Sequence, residues 1–294
     1  MQQKDRRMKI RLCLAILLPV LLEAEPMTRA IARAAAEEVE ENYVFPEVGR
    51  DIAARVRAKL EAGGYDALPG GDELARAEIL PGGVGYVDFR HFPPRAVAEE
   101  ALQTAMTRVA GARALIIDLR RHRGGAPDSV AFVCSHLFGT ERVHLNSLHY
   151  RGTGRAQEYH TDPTLPGPRF GPDKPVFLLT SSRTFSAGEE FAYNLQTRQR
   201  ALLVGETTGG GANPGRSHPL PGGFSVFVSN GRAINPVTGT NWEGVGVKPE
   251  IPTPAAEAFG VAYEKALEGF NRETAAPAVR EAIAELLRNP PTPE

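Results

Sequence analysis

Cysteine is nearly absent: the 294 residues hold two, Cys13 and Cys134. Cys13 lies in a segment read below as a cleaved leader, so the mature chain keeps one thiol and cannot be stapled by a disulfide. Cys134 belongs to the apolar-periodic stretch Val130, Val133, Cys134, Leu137, a pattern that predicts a buried structural thiol. Charge of one sign is also lacking. With 34 basic and 35 acidic residues the formal net charge is −1, which leaves no basic footprint for a phosphate backbone, and nucleic acid is not an expected partner. There is no His-Glu-x-x-His, no paired Cys-x-x-Cys and no Gly-x-x-x-x-Gly-Lys loop, so no metal and no cofactor are expected.

What is present begins with a basic start, Lys4, Arg6, Arg7, Lys9 and Arg11, followed by an apolar run from Leu12 to Leu22 and then Ala24. This is the layout of a secretion signal over residues 1–25. The run falls short of the roughly 20 apolar residues of a bilayer span. A secreted, periplasmic or cell-envelope protein without a stable membrane span after cleavage is expected. Residues 26–70 read as a small helical domain: Ile31, Ala35, Val39 and Tyr43 recur four apart, as do Val48, Ile52, Val56 and Leu60, with a break at Pro46. After a Gly- and Pro-rich stretch, short apolar runs alternate with helical periodicity over residues 79–255. Strands are predicted at Val84–Phe89, Ala114–Leu119, Val176–Thr180 and Ala201–Gly205, and helices at 96–110, 127–138 and 186–198. The class is α/β. Residues 256–294 form a C-terminal helical extension, with a closing helix at 275–288.

Two places carry chemistry. Ser186 follows a strand and a polar turn, Ser181-Ser182-Arg183-Thr184-Phe185, and opens a helix with Ala187, Gly188, Glu189 and Glu190. Unpaired amides and the positive end of the helix dipole would stabilise negative charge beside its oxygen, although a serine there is also a common N-cap. Asp118-Leu119-Arg120-Arg121-His122-Arg123-Gly124-Gly125 ends a buried strand in a glycine turn whose backbone N–H groups could hold an oxyanion together with that of Ala187.

The motifs Leu115-Ile-Ile-Asp-Leu-Arg120, Thr180-Ser-Ser-Arg-Thr-Phe-Ser186-Ala-Gly-Glu189, Val204-Gly-Glu-Thr-Thr-Gly-Gly210 and Glu243-Gly-Val-Gly-Val-Lys-Pro-Glu250 resemble, in this order, those of the tail-specific or C-terminal-processing peptidases, family S41. Gly85-Tyr86-Val87-Asp88 resembles their first core strand, and Glu41-Asn42-Tyr43-Val44-Phe45-Pro46 the helical unit of the interphotoreceptor retinoid-binding protein and tricorn-core branch. The resemblance implies a crotonase- and Clp-like ββα core, a peptide or protein substrate, and Ser186 as nucleophile. It also implies Gly124, Gly125 and Ala187 as oxyanion donors and Glu243 as the acid that orients a histidine base.

The sequence departs from that pattern twice. The position of a serine/lysine dyad's lysine is Gly211, and no lysine lies between Ser186 and Lys248. The histidine of the other branch belongs between the helical unit and the first core strand, yet residues 65–81 contain none, as though Gly71–Arg76 spliced one unit to the next. His91 and His122 are the remaining candidates for a base. A serine peptidase impaired by this loss is expected, the alternative being a peptide- or apolar-ligand-binding module on the same scaffold. A further alternative is a family member lacking one segment.

Overall fold

The structure, a computed structural model, describes residues 33, 36–37, 40, 46–63, 75–219, 225–273 and 276–291. The leader expected at 1–25 lies outside these residues. The chain divides into two compact units, Met1–Gly71 and Asp72–Glu294. In the first, helix α1 (Pro46–Glu61) carries a buried Ala53 and Leu60.

The second unit is built on strands whose residues are buried on both faces. β2 (Val84–Phe89), β3 (Ala114–Asp118) and β6 (Val176–Thr180) are apolar along almost their whole length, as parallel strands covered on both sides must be. With β1 (Ala75–Leu80), β7 (Leu202–Gly205) and β11 (Ile251–Pro252) they form a six-stranded sheet in the order β1-β2-β3-β6-β7-β11. Only β1 runs antiparallel, against β2. Its presence changes the expectation for residues 71–80: the segment read as a splice continues into an edge strand, whose half-buried Ala75-Arg76-Ala77-Glu78 lacks the long apolar run of its neighbours.

Successive residues feed two different cores, because strand side chains alternate faces. Val87, Phe89, Leu115, Ile117 and Leu178 pack with helices α2 (Arg95–Val109), α3 (Pro127–Ser135) and α4 (Ala187–Thr197). Tyr86, Ile116, Phe177 and Leu179 pack against helix α5 (Ala258–Glu273) through Phe259, Ala262, Tyr263, Ala266, Leu267 and Phe270. The residues expected to be an extension thus supply half of the second core, and α6 (Pro277–Arg288) adds Ile283. Cys134 is buried, and desolvation pushes its thiol well above the usual range. A three-stranded sheet, β10-β4-β5, and a two-stranded one, β8-β9, complete the unit (β4 His144–Tyr150, β5 Ala156–His160, β8 Gly215–Pro219, β9 Ser225–Ser229, β10 Gly231–Ile234). Among the described residues no helix is long and apolar enough to cross a membrane.

Candidate active site

β3 and β6 are parallel neighbours, so both of the turns singled out above leave the same edge of the sheet. Hydroxyl side chains join them. Ser181 Oγ donates to Arg120 O at 2.6 Å, Thr184 Oγ1 donates to Leu119 O at 2.7 Å, and Phe185 N donates to His122 O at 3.0 Å. The Ser-Ser-Arg-Thr turn therefore satisfies carbonyls that the end of β3 would otherwise bury without partners.

Ser186 stands half-exposed at the start of α4 with φ 54° and ψ −118°, a left-handed backbone that a non-glycine residue adopts only under constraint. Glu189 supplies that constraint. Its buried carboxylate accepts Ser186 N at 2.9 Å and Gly211 N at 2.8 Å on Oε2, and Thr208 Oγ1 at 2.5 Å and Gly210 N at 2.6 Å on Oε1. One acid therefore fixes the serine turn and the Gly210–Gly211 loop beside it. The spacing Ser186-x-x-Glu189 is a capping-box signature legible in the sequence, but the two loop amides are not.

The glycine turn divides its duties. Gly124 carries φ 120°, and a Cβ placed on it would lie 3.2 Å from Ser186 Oγ. Its N–H donates to His122 Nδ1 at 3.1 Å. Among the described residues the N–H groups of Gly125 and Ala187 have no acceptor. Both residues line one 540 Å³ cavity with Ser186 and Glu243, and its apolar walls include Leu148, Tyr150, Phe185 and Trp242.

Glu243 also reaches this cavity. Its Oε2 accepts Ala212 N at 2.7 Å and Asn213 N at 2.9 Å, which pins the wall following Gly211. None of the described side chains lining the cavity is a histidine. His122 is fully buried, packed 4.5 Å from Phe92 and against Gly188, and burial together with His91 lowers its pKa to about 3. With Nδ1 accepting from Gly124, the neutral ring offers Ser186 no free lone pair. At Gly211 a Cβ would lie 2.2 Å from the exposed Phe185 ring, so a larger residue there would require that ring to swing aside.

The sequence profile of Peptidase family S41 matches residues 83–253. The chain belongs to this family. The carboxyl-terminal-processing protease of Synechocystis sp. is 33% identical over 127 residues, which are 43% of this chain and 28% of that protein. The chain thus matches little more than a quarter of that relative's length. A solved structure from Bacteroides fragilis described as an S41 protease is 21% identical, with a TM-score of 0.54 over 63% of this chain and 52% of that one. A lipoprotein from Streptococcus agalactiae is 11% identical, with a TM-score of 0.53 over 83% and 98%. At these identities the two structures speak for the fold alone.

In this S41 chain one further acid lines the cavity. Glu190 is 5% exposed, its Oε1 has no partner among the described residues, and burial raises its pKa from 4.5 to about 7. Below pH 4.5 the folded and unfolded chains both hold the proton. Between 4.5 and about 7 only the fold keeps it, so stability falls as pH rises, and above about 7 the whole cost of roughly 3 kcal/mol is present. Glu190→Gln is therefore expected to stabilise the protein at pH 8 and to leave it nearly unchanged at pH 4.5; urea unfolding at the two pH values checks this.

Proposed function

We propose that this chain is a serine-type peptidase that hydrolyses peptide or protein substrates through an acyl-enzyme at Ser186. The observation that carries the reading is the left-handed backbone of Ser186, held by Glu189 at the rim of a cavity shared with the free N–H groups of Gly125 and Ala187. Strain of this kind costs about 1–3 kcal/mol and persists only where the surroundings impose it. In the reaction Ser186 Oγ bonds to the scissile carbonyl carbon, and the carbonyl oxygen takes the negative charge between Gly125 N–H and Ala187 N–H at the positive end of α4. The serine's hydroxyl proton passes to the Glu190 carboxylate and from it to the departing amine, and water then cleaves the ester, its own proton returning through Glu190 to Ser186 Oγ. Leu148, Phe185 and Trp242 suit an apolar side chain next to the scissile bond.

Glu243 acts by holding the 211–213 wall. The acid–base group of the cavity is Glu190, whose equilibrium lies near neutrality. A missing histidine base removes about 10²–10⁴ in rate, so turnover is expected to be slow. The basic start and apolar run of residues 1–25 support action outside the cytoplasm. The test is covalent labelling by a fluorophosphonate: wild type is expected to be labelled and Ser186→Ala is not. Absence of labelling in folded wild type overturns the reading.

The lack of a histidine among the described lining side chains favours a second reading, a binding module for apolar peptides. Trp242, the chain's one tryptophan, lines the cavity, so its fluorescence reports occupancy directly. In a binding module an apolar peptide shifts that emission with the same affinity in wild type and Ser186→Ala, and no peptide is cleaved.

A further inference from the structure

We propose that His144, Glu158 and His160 form a binding site for a divalent cation of the zinc class on one face of the β4–β5 hairpin. Each residue offers a ligand atom, and the three atoms lie within 4.8 Å of one another. The site does not depend on the proposed peptidase activity, and no linear motif contains it, because its ligands come from two strands.

A β-bulge creates the juxtaposition. His144 pairs with His160, Asn146 with Tyr159 and Ser147 with Glu158, so the register slips by one residue at Leu145. Glu158 and His160 are two apart and share a face of β5. Simple alternation along β4 would put His144 and Ser147 on opposite faces, but the extra residue brings both towards that pair. The contacts follow. The rings of His144 and His160 stack with centroids 4.6 Å apart, and His144 Nε2 lies 2.8 Å from Ser147 Oγ. Leu145 and Leu148 are buried in the main core, which anchors the strand that carries the site.

The distances suit a small borderline cation. His160 Nε2 lies 3.7 Å from Glu158 Oε2. Zinc bound at about 2.0–2.2 Å by nitrogen and oxygen separates its ligands by roughly 3.4 Å in a tetrahedron, with an upper bound of about 4.2 Å, so this pair already straddles an ion's width. Two imidazoles and one carboxylate are a donor set for zinc, nickel or copper rather than for magnesium or calcium. Ser147 Oγ or water would complete the sphere.

Arg142 is the opposing element. Its guanidinium lies 3.1 Å from His160 Nδ1, where it donates and so leaves the ring proton on Nε2. A cation at Nε2 moves that proton to Nδ1 and requires Arg142, an exposed side chain, to swing aside.

The test is calorimetric titration of the untagged, chelator-stripped full chain with Zn²⁺, repeated with Co²⁺ to read its visible absorption. One saturable site is expected, with the intense bands of tetrahedral cobalt. His144→Ala, His160→Ala and the exposed Glu158→Gln are each expected to weaken uptake at least about tenfold. Circular dichroism shows that each variant remains folded, and Ser186→Ala should bind as wild type does. Arg142→Ala is expected to tighten binding. No saturable uptake by wild type, or uptake retained by both histidine variants, overturns the proposal.

Discussion

Gly125→Ala is expected to abolish fluorophosphonate labelling and to destabilise the protein by roughly 3–5 kcal/mol, the sum of backbone strain and overpacking. A Cβ at this position would lie 2.0 Å from Phe92 O, and the residue's φ of 139° is one that side chains rarely tolerate. Neither partner can yield cheaply. Phe92 N donates to Gly124 O at 3.0 Å, and Phe92 O accepts Ala126 N at 2.6 Å, so the clash falls on a backbone bridge. Phe92 itself is wholly buried against Phe89, His122 and Phe191. Relief must come from displacing Gly125, which moves its N–H away from Ser186. Denaturant midpoints measure the first effect and labelling under folding conditions the second; a variant with native stability and native labelling would contradict both.

Glu189→Ala is expected to cost about 3–5 kcal/mol and to reduce labelling further than the stability loss explains. The substitution leaves the N–H groups of Ser186, Gly210 and Gly211 and the Thr208 hydroxyl without their acceptor, in a region where water has little access. Each unsatisfied buried donor costs about 1–3 kcal/mol, and partial exposure of the loop keeps the total below the simple sum. Ser186 then relaxes from its left-handed conformation, because the capping interaction that opposes the strain is gone. Ser186→Gly supplies the contrast: it removes the nucleophile but also the steric cost, so it should equal or exceed wild type in thermal stability while showing no labelling.

Much of the fold was readable because its central strands are apolar on both faces. A covered parallel sheet accommodates runs such as Ala114-Leu-Ile-Ile-Asp118 and Val176-Phe-Leu-Leu-Thr180, and the turn residues that bound them favour strands. The edge strand Ala75–Leu80 was not readable, since an edge strand has one neighbour and tolerates charge. Helix Ala258–Glu273 did carry a signal, with Ala258, Ala262 and Ala266 four apart beside Phe259, Tyr263 and Leu267. Small alanines are a weak hydrophobic mark, however, so the sequence supports a helical extension here without showing that it packs on the sheet. In the site, Ser186, Gly125, Ala187 and Glu243, all singled out by their motifs, line one cavity, while the contacts of Gly124 N–H with His122 and of Glu243 with the Ala212 and Asn213 amides carry no mark in the sequence.

By itself the sequence determined the α/β class, the buried strands, the order of the family's motifs, the serine at a helix start, and the absence of histidine from residues 65–81. These are properties of composition and local periodicity, which a chain carries before it folds. Tertiary structure alone decided which glycine N–H stays free, which amides Glu243 and Glu189 hold, how far burial shifts Glu190 and His122, and that a bulge at Leu145 sets two histidines and a glutamate side by side. The reason is physical: the direction of a hydrogen bond and the water lost by a side chain depend on segments distant in the chain, and those partners exist only once the sheet has closed.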